Sequence, residues 1–191
     1  MMYSSIIPLL LLILGIAVGS FVKLQLISTT ISLLLYSLIL LIGITLGRRK
    51  IVLRVKDLEA PVLTLVGTLI PGAIVAPIIG IPVNVSVAIS AGFGWYSLAG
   101  PLITKICGAK AGTIAFLSNL FREAISLALA RTISEKIGCG ALVASIGAGS
   151  MDTALPFVAQ VCDYNWVVRS FISGLVLTLL APLLIPLLLG L

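Results

Sequence analysis

Apolar residues run through this chain in stretches close to the ~20 residues with which a helix crosses a bilayer, and the polar residues between them come in short clusters. Residues 6–22 and 29–46 predict two spans joined by a turn around Lys23, Gln25 and Ser28, a helical hairpin. Residues 62–81 predict a third span, opened by Pro61, bent by Pro71, Gly72, Pro77 and Gly80, and ended at Pro82. Residues 113–130 predict another crossing helix, and 167–191 a final span containing Pro182 and Pro186.

Two stretches break this pattern. Ser90 to Pro101 reads SAGFGWYSLAGP and Ser145 to Pro156 reads SIGAGSMDTALP, with Ser, Gly, Gly, Ala and Pro recurring in register. Glycine and proline there would leave backbone groups unpaired in lipid, which is tolerated only inside protein or against a water-filled cavity. Two topologies fit: seven passes, if both broken stretches cross, or five passes with two re-entrant hairpins. With one crossing helix between them, such hairpins enter from opposite faces, the inverted arrangement of many secondary transporters, and the internal similarity favours that reading. Under this repeat Ser97 falls on Asp152, and Cys107 on Cys162.

The expected fold is therefore an all-α integral membrane protein of five to seven transmembrane helices, one transport domain over 1–191. Composition agrees, since 60% of residues are hydrophobic, only 9% are charged, and mean hydropathy is +1.29. The net charge of +6 does not point to nucleic acid, because the basic residues lie mainly in short loops, as the positive-inside rule predicts. The densest cluster, Arg48, Arg49, Lys50, Arg54 and Lys56 with Asp57 and Glu59, is expected in the cytoplasm. That places the N-terminus inside, Arg169 near the cytoplasm and the C-terminus outside. The N-terminus lacks the basic start of a secretory signal and reads as the first span.

The chain has no histidine, and Cys107, Cys139 and Cys162 show no C-x-x-C or C-x-H spacing, so no metal site or cofactor is expected. Three separated cysteines also predict no disulfide framework.

The most informative polar residues lie within 113–130, where Ser118, Asn119, Arg122, Glu123 and Ser126 share one face at ~100° per residue and the other face is apolar. An ionisable group at membrane depth costs about 2.5–3.5 kcal/mol on insertion scales and marks a pathway or a paired site. Glu123, mid-helix, is the leading candidate for substrate or proton binding. Arg122 points about 100° away and is expected to face another segment, and Asn119 either binds ligand or holds the Glu123 carboxylate. Asp152 follows the second break in GAGSMDT, where an interrupted helix exposes backbone groups to a ligand, and Ser150 and Thr153 flank it. Helix capping is the competing role for Ser150 and Asp152. Trp95, Tyr96 and Ser97 follow the first break, where the aromatics can close over a ligand or offer a cation-π face.

GFGWYSLAG at Gly92–Gly100, SNLFREAISL at Ser118–Leu127 and GAGSMDTALP at Gly147–Pro156 resemble the three signature stretches of the prokaryotic L-lysine exporter family, a likeness running from about Thr29 onward. The resemblance implies export of L-lysine and lysine analogues across the inner or cell membrane by proton antiport. It also implies two intramembrane acidic residues that matter for transport, and by motif these fall on Glu123 and Asp152. Longer members carry additional N-terminal membrane segments, so a homo-oligomer or a separately encoded small subunit is an expected partner, together with L-lysine, protons and membrane lipid. Transport of Na⁺ or of another cation or amino acid, and a structural subunit of a membrane complex, are the alternatives. Enzymatic activity is not expected: there is no His for a serine or metallo mechanism and no second membrane aspartate beside Asp152.

Overall fold

The computed structural model describes residues 55–190, together with Ile44. The two expected N-terminal spans and most of the basic loop lie outside the described residues. A short 3₁₀ turn, Val55–Leu58, leads into eight α-helices among the described residues: α1 Glu59–Ile79, α2 Val83–Ser90, α3 Tyr96–Cys107, α4 Ala109–Ala128, α5 Ala130–Lys136, α6 Cys139–Ile146, α7 Leu155–Val161 and α8 Tyr164–Leu188. A second 3₁₀ segment, Gly147–Met151, lies between α6 and α7. No strand occurs among these residues.

Two helices, α1 and α8, are long and apolar enough to cross a membrane, and a third span is available if α4 and α5, bent by 66° at Leu129, are one unit. Their outer faces are the ones lipid would cover: Val62, Val66, Ile70, Ile74 and Ile78 on α1, and Leu175, Leu179, Leu183 and Leu187 on α8, are all exposed. α1 begins three residues earlier than the hydropathy suggests and ends at Gly80, whose left-handed backbone (φ 68°) closes the helix before Pro82. α8 starts earlier too, because the Asp163 side chain accepts a hydrogen bond from the Trp166 N–H at 3.1 Å and caps it.

The two broken stretches each fold back as a pair of short helices. α2 runs back along α1, where Ser86 donates to the Gly72 carbonyl at 2.7 Å. α3 runs back along α4, with Tyr96 edge-on to Phe116 at 5.4 Å between ring centroids. On the other side of the bundle α6 lies beside the first half of α1, Thr64 donating to the Ala144 carbonyl at 3.1 Å. α7 returns so that Cys139, at the start of α6, and Cys162, just past α7, form a disulfide with Cα atoms 6.0 Å apart.

This disulfide corrects the expectation of unpaired cysteines. The partners are 23 residues apart in sequence and meet only because α6 and α7 fold back on each other. Cys107, the residue that the internal repeat matches to Cys162, remains free. At the same end, Asp57 accepts from the Arg169 Nε at 2.9 Å, and the Arg169 guanidinium also lies 4.8 Å from the centroid of the Trp166 ring.

Candidate functional site

The tips of the two folded-back pairs meet inside the bundle. The Ala148 N–H donates to the Phe93 carbonyl at 2.8 Å, so each break satisfies part of the other. The turn between α2 and α3 runs through Phe93 (φ 47°) and Gly94 (φ 91°), and the second break starts at Gly147 (φ 83°). Phe93 is a non-glycine residue in the left-handed region and is fully buried, held there by this docking.

Three polar residues of α4 complete the arrangement, each with a separate task. Asn119, 3% exposed, accepts from the Gly94 N–H at 2.7 Å and donates to the carbonyls of Ile89 at 3.0 Å and Ala115 at 2.9 Å. It closes the first break and does not reach Glu123 by any of these bonds. Asn119→Leu would leave the Gly94 N–H and the Ile89 carbonyl without this partner, at about 1–3 kcal/mol for each unsatisfied group. The expected outcome is a clear fall in melting temperature of the purified protein in detergent; an unchanged melting curve would contradict this role.

Arg122 reaches the second break from one side. Its Nε donates to the Ser145 carbonyl at 2.8 Å and Nη2 to the Ala144 carbonyl at 2.9 Å, at the C-terminal end of α6, while Nη1 donates to Thr68 Oγ1 at 2.8 Å. Favourable charge at a helix C-terminus explains the first two bonds. Glu123, 8% exposed, reaches the same break from the other side and accepts from the Thr153 hydroxyl. Thr153 also donates its backbone N–H to Asp152 Oδ1 at 2.6 Å. One residue therefore links the two carboxylates expected to act together. Among the described residues the ion pairs are Arg131 with Glu135 and Arg169 with Asp57, so Arg122, Glu123 and Asp152 are in none.

Gly147 makes room for the Phe93 carbonyl at this break, and Gly149 for the Glu123 carboxylate. A Cβ on Gly147 would lie 2.1 Å from the Phe93 carbonyl oxygen and 3.6 Å from Arg122 Cζ, and one on Gly149 would lie 2.6 Å from Glu123 Oε1. The G-x-G spacing puts one glycine under each charged group.

The remaining expected site residues go elsewhere. Ser150 is fully buried and exchanges hydrogen bonds with Ser170 of α8, donating to its carbonyl at 3.0 Å and accepting at its own carbonyl from the Ser170 hydroxyl at 2.7 Å. Trp95 packs on the core, Tyr96 on Phe116, and Ser97 is exposed. Sequence reasoning missed Thr68 and the carbonyls of Ala144 and Ser145 as partners of Arg122; no local signal identifies them. It also missed a cavity of about 770 Å³ between α1, α2, α4 and α6, whose wall includes Arg122, Thr68, Ser90 and Ser118 but neither Glu123 nor Asp152.

No solved structure matches this chain. An Escherichia coli K12 protein named lysine exporter LysO is 37% identical over 158 residues, which are 78% of this chain and 52% of that protein. A Haemophilus influenzae protein provisionally named a lysine exporter is 31% identical over 156 residues, 79% of this chain and 80% of that protein. The chain thus spans about half the length of the Escherichia coli relative. The family model described as lysine exporter LysO matches residues 9–189, reaching further toward the N-terminus than the signature motifs do. This chain, a membrane protein by its apolar helices and its relatives, belongs to the lysine exporter LysO family.

Proposed function

We propose that the protein exports L-lysine across the cell membrane in exchange for protons, with Glu123 and Asp152 as the groups for which lysine ammonium and proton compete. The observation that carries this reading is Thr153, which hydrogen-bonds to both carboxylates at the break between α6 and α7. Thr153 Oγ1 also lies 3.3 Å from the Gly149 carbonyl, so carboxylate, hydroxyl and carbonyl oxygens converge where a cation can replace the hydroxyl proton's interactions. The Escherichia coli and Haemophilus relatives, by their names, supply the substrate.

In this reading α2–α3 and α6–α7 are re-entrant hairpins entering from opposite membrane faces, related as an inverted repeat, with the docked Phe93 and Ala148 tips at the barrier between them. The end bearing Arg131, Lys136 and Arg169 is cytoplasmic by its basic residues, a compartment that holds the Cys139–Cys162 bond reduced in the cell, and the C-terminus is external. Cysteines placed at Lys105 and Arg131 are then expected to react with a membrane-impermeant maleimide from opposite sides, external for Lys105 and cytoplasmic for Arg131. The reverse pattern would overturn either the re-entrant hairpins, in favour of seven passes, or the orientation.

The reading is tested by pH-gradient-driven uptake of labelled L-lysine into proteoliposomes holding the purified chain. Saturable, gradient-dependent uptake is the expected result. The same oxygen cluster suits Na⁺, and uptake that follows a Na⁺ gradient instead would replace the coupling ion. Absence of lysine movement by folded protein, restored by a second membrane subunit, would show that the transporter is a complex.

A further inference from the structure

We infer that the cavity on the Arg122 side of α4 receives the carboxylate of an amino acid with an aliphatic side chain. This rests on the export reading and assigns the anionic end of its substrate to a place separate from the Glu123 carboxylate. A guanidinium has five N–H donors, and the three bonds of Arg122 go to neutral acceptors, the hydroxyl of Thr68 and the carbonyls of Ala144 and Ser145. Its charge therefore meets no counter-anion among the described residues, and one N–H on each terminal nitrogen lies outside these bonds. Two such donors on one planar group suit a carboxylate better than any neutral ligand.

The cavity is built to match. Its volume of about 770 Å³ lies within the ~300–1,000 Å³ usual for small-molecule sites. Among the described residues its wall carries no acidic side chain, so the only formal charge there is positive, with Ser90 and Ser118 as further hydroxyls and Ile89, Ile114 and Ile125 as apolar surface for a methylene chain.

The second break stands between the two charged ends. Arg122 and Glu123 approach the same 3₁₀ segment from two sides, at Gly147 and Gly149. An amino acid whose carboxylate sits on Arg122 lies one backbone segment away from the group that would take its ammonium.

The test uses the full chain in nanodiscs, with Ser118→Cys as a reporter on the cavity wall and Cys107→Ser to remove the other free thiol. L-lysine is expected to slow labelling of this cysteine about tenfold, and cadaverine, the same diamine without the carboxylate, by no more than about twofold. Arg122→Lys retains the charge but not the planar fork, and is expected to raise the lysine concentration needed for protection about tenfold. Equal protection by cadaverine and lysine, or protection by no amino acid at all, would overturn the inference, whatever the proteoliposome assay shows for lysine. Slowed labelling produced by phosphatidylglycerol in the nanodisc without any amino acid would also overturn it, making the occupant a lipid headgroup. Should L-lysine fail while another aliphatic amino acid protects and its amide does not, the carboxylate site stands and the lysine assignment falls.

Discussion

Glu123→Gln is expected to lower pH-gradient-driven lysine transport by about tenfold to a hundredfold while the protein remains folded in the membrane. The amide has the carboxylate's shape, and its oxygen can still accept from the Thr153 hydroxyl, so the contact with the second break survives. What is lost is an ionisable carboxyl at a buried position, and hydrogen bonds to charged groups contribute about 1.5–3 kcal/mol. A carboxamide also neither takes nor releases a proton at working pH, so exchange coupling fails even if lysine still binds. Asp152→Asn is expected to act in the same direction with a smaller loss, because Asp152 is more exposed and its Oδ1 is held by the Thr153 N–H. Wild-type transport in both variants, measured as uptake per folded protein in proteoliposomes, would remove these carboxylates from the mechanism.

The second large effect is structural. Gly147→Ala places a methyl group 2.1 Å from the Phe93 carbonyl oxygen, at a residue whose φ of 83° already disfavours any side chain. This φ, with ψ −132°, lies outside the left-handed helical well and costs an L-residue about 1–3 kcal/mol, and the clash comes from backbone, which cannot rotate aside. The Ala148 N–H to Phe93 carbonyl bond must lengthen or break, and with it the docking of the two tips. The expected result is a low yield of monodisperse protein and a much reduced melting temperature. Gly149→Ala offers the contrast, since its added methyl meets the Glu123 carboxylate and the Thr153 hydroxyl, both side-chain ends that can shift. Folded protein with impaired transport is expected there. If Gly147→Ala instead folds and transports normally, the docked tips are not the core of the bundle.

Two kinds of feature were readable along the chain because they are local. A charged pair inside an apolar run, Arg122 and Glu123, stands out by its cost in lipid, and G-x-G beside apolar helices marks a backbone that cannot stay helical. Helix existence followed from hydropathy, while helix ends were displaced by caps such as Gly80 and Asp163, whose effect depends on geometry. Asn119 shows the limit: its position on the polar face of α4 was legible, but its partners Ile89 and Gly94 lie 30 and 25 residues away and depend on how α2 packs.

Membrane class, family and breaks were legible along the chain, since apolar run length, motif order and glycine placement are properties of consecutive residues. Packing alone brings Cys139 to Cys162, turns Arg122 to Thr68 and the end of α6, and lets Thr153 link Glu123 to Asp152. The physical reason is common to all three. Side chains far apart in sequence become partners only when the folding back of broken helices brings unsatisfied backbone and buried charge to the same place, and packing, not local pattern, selects which of them meet.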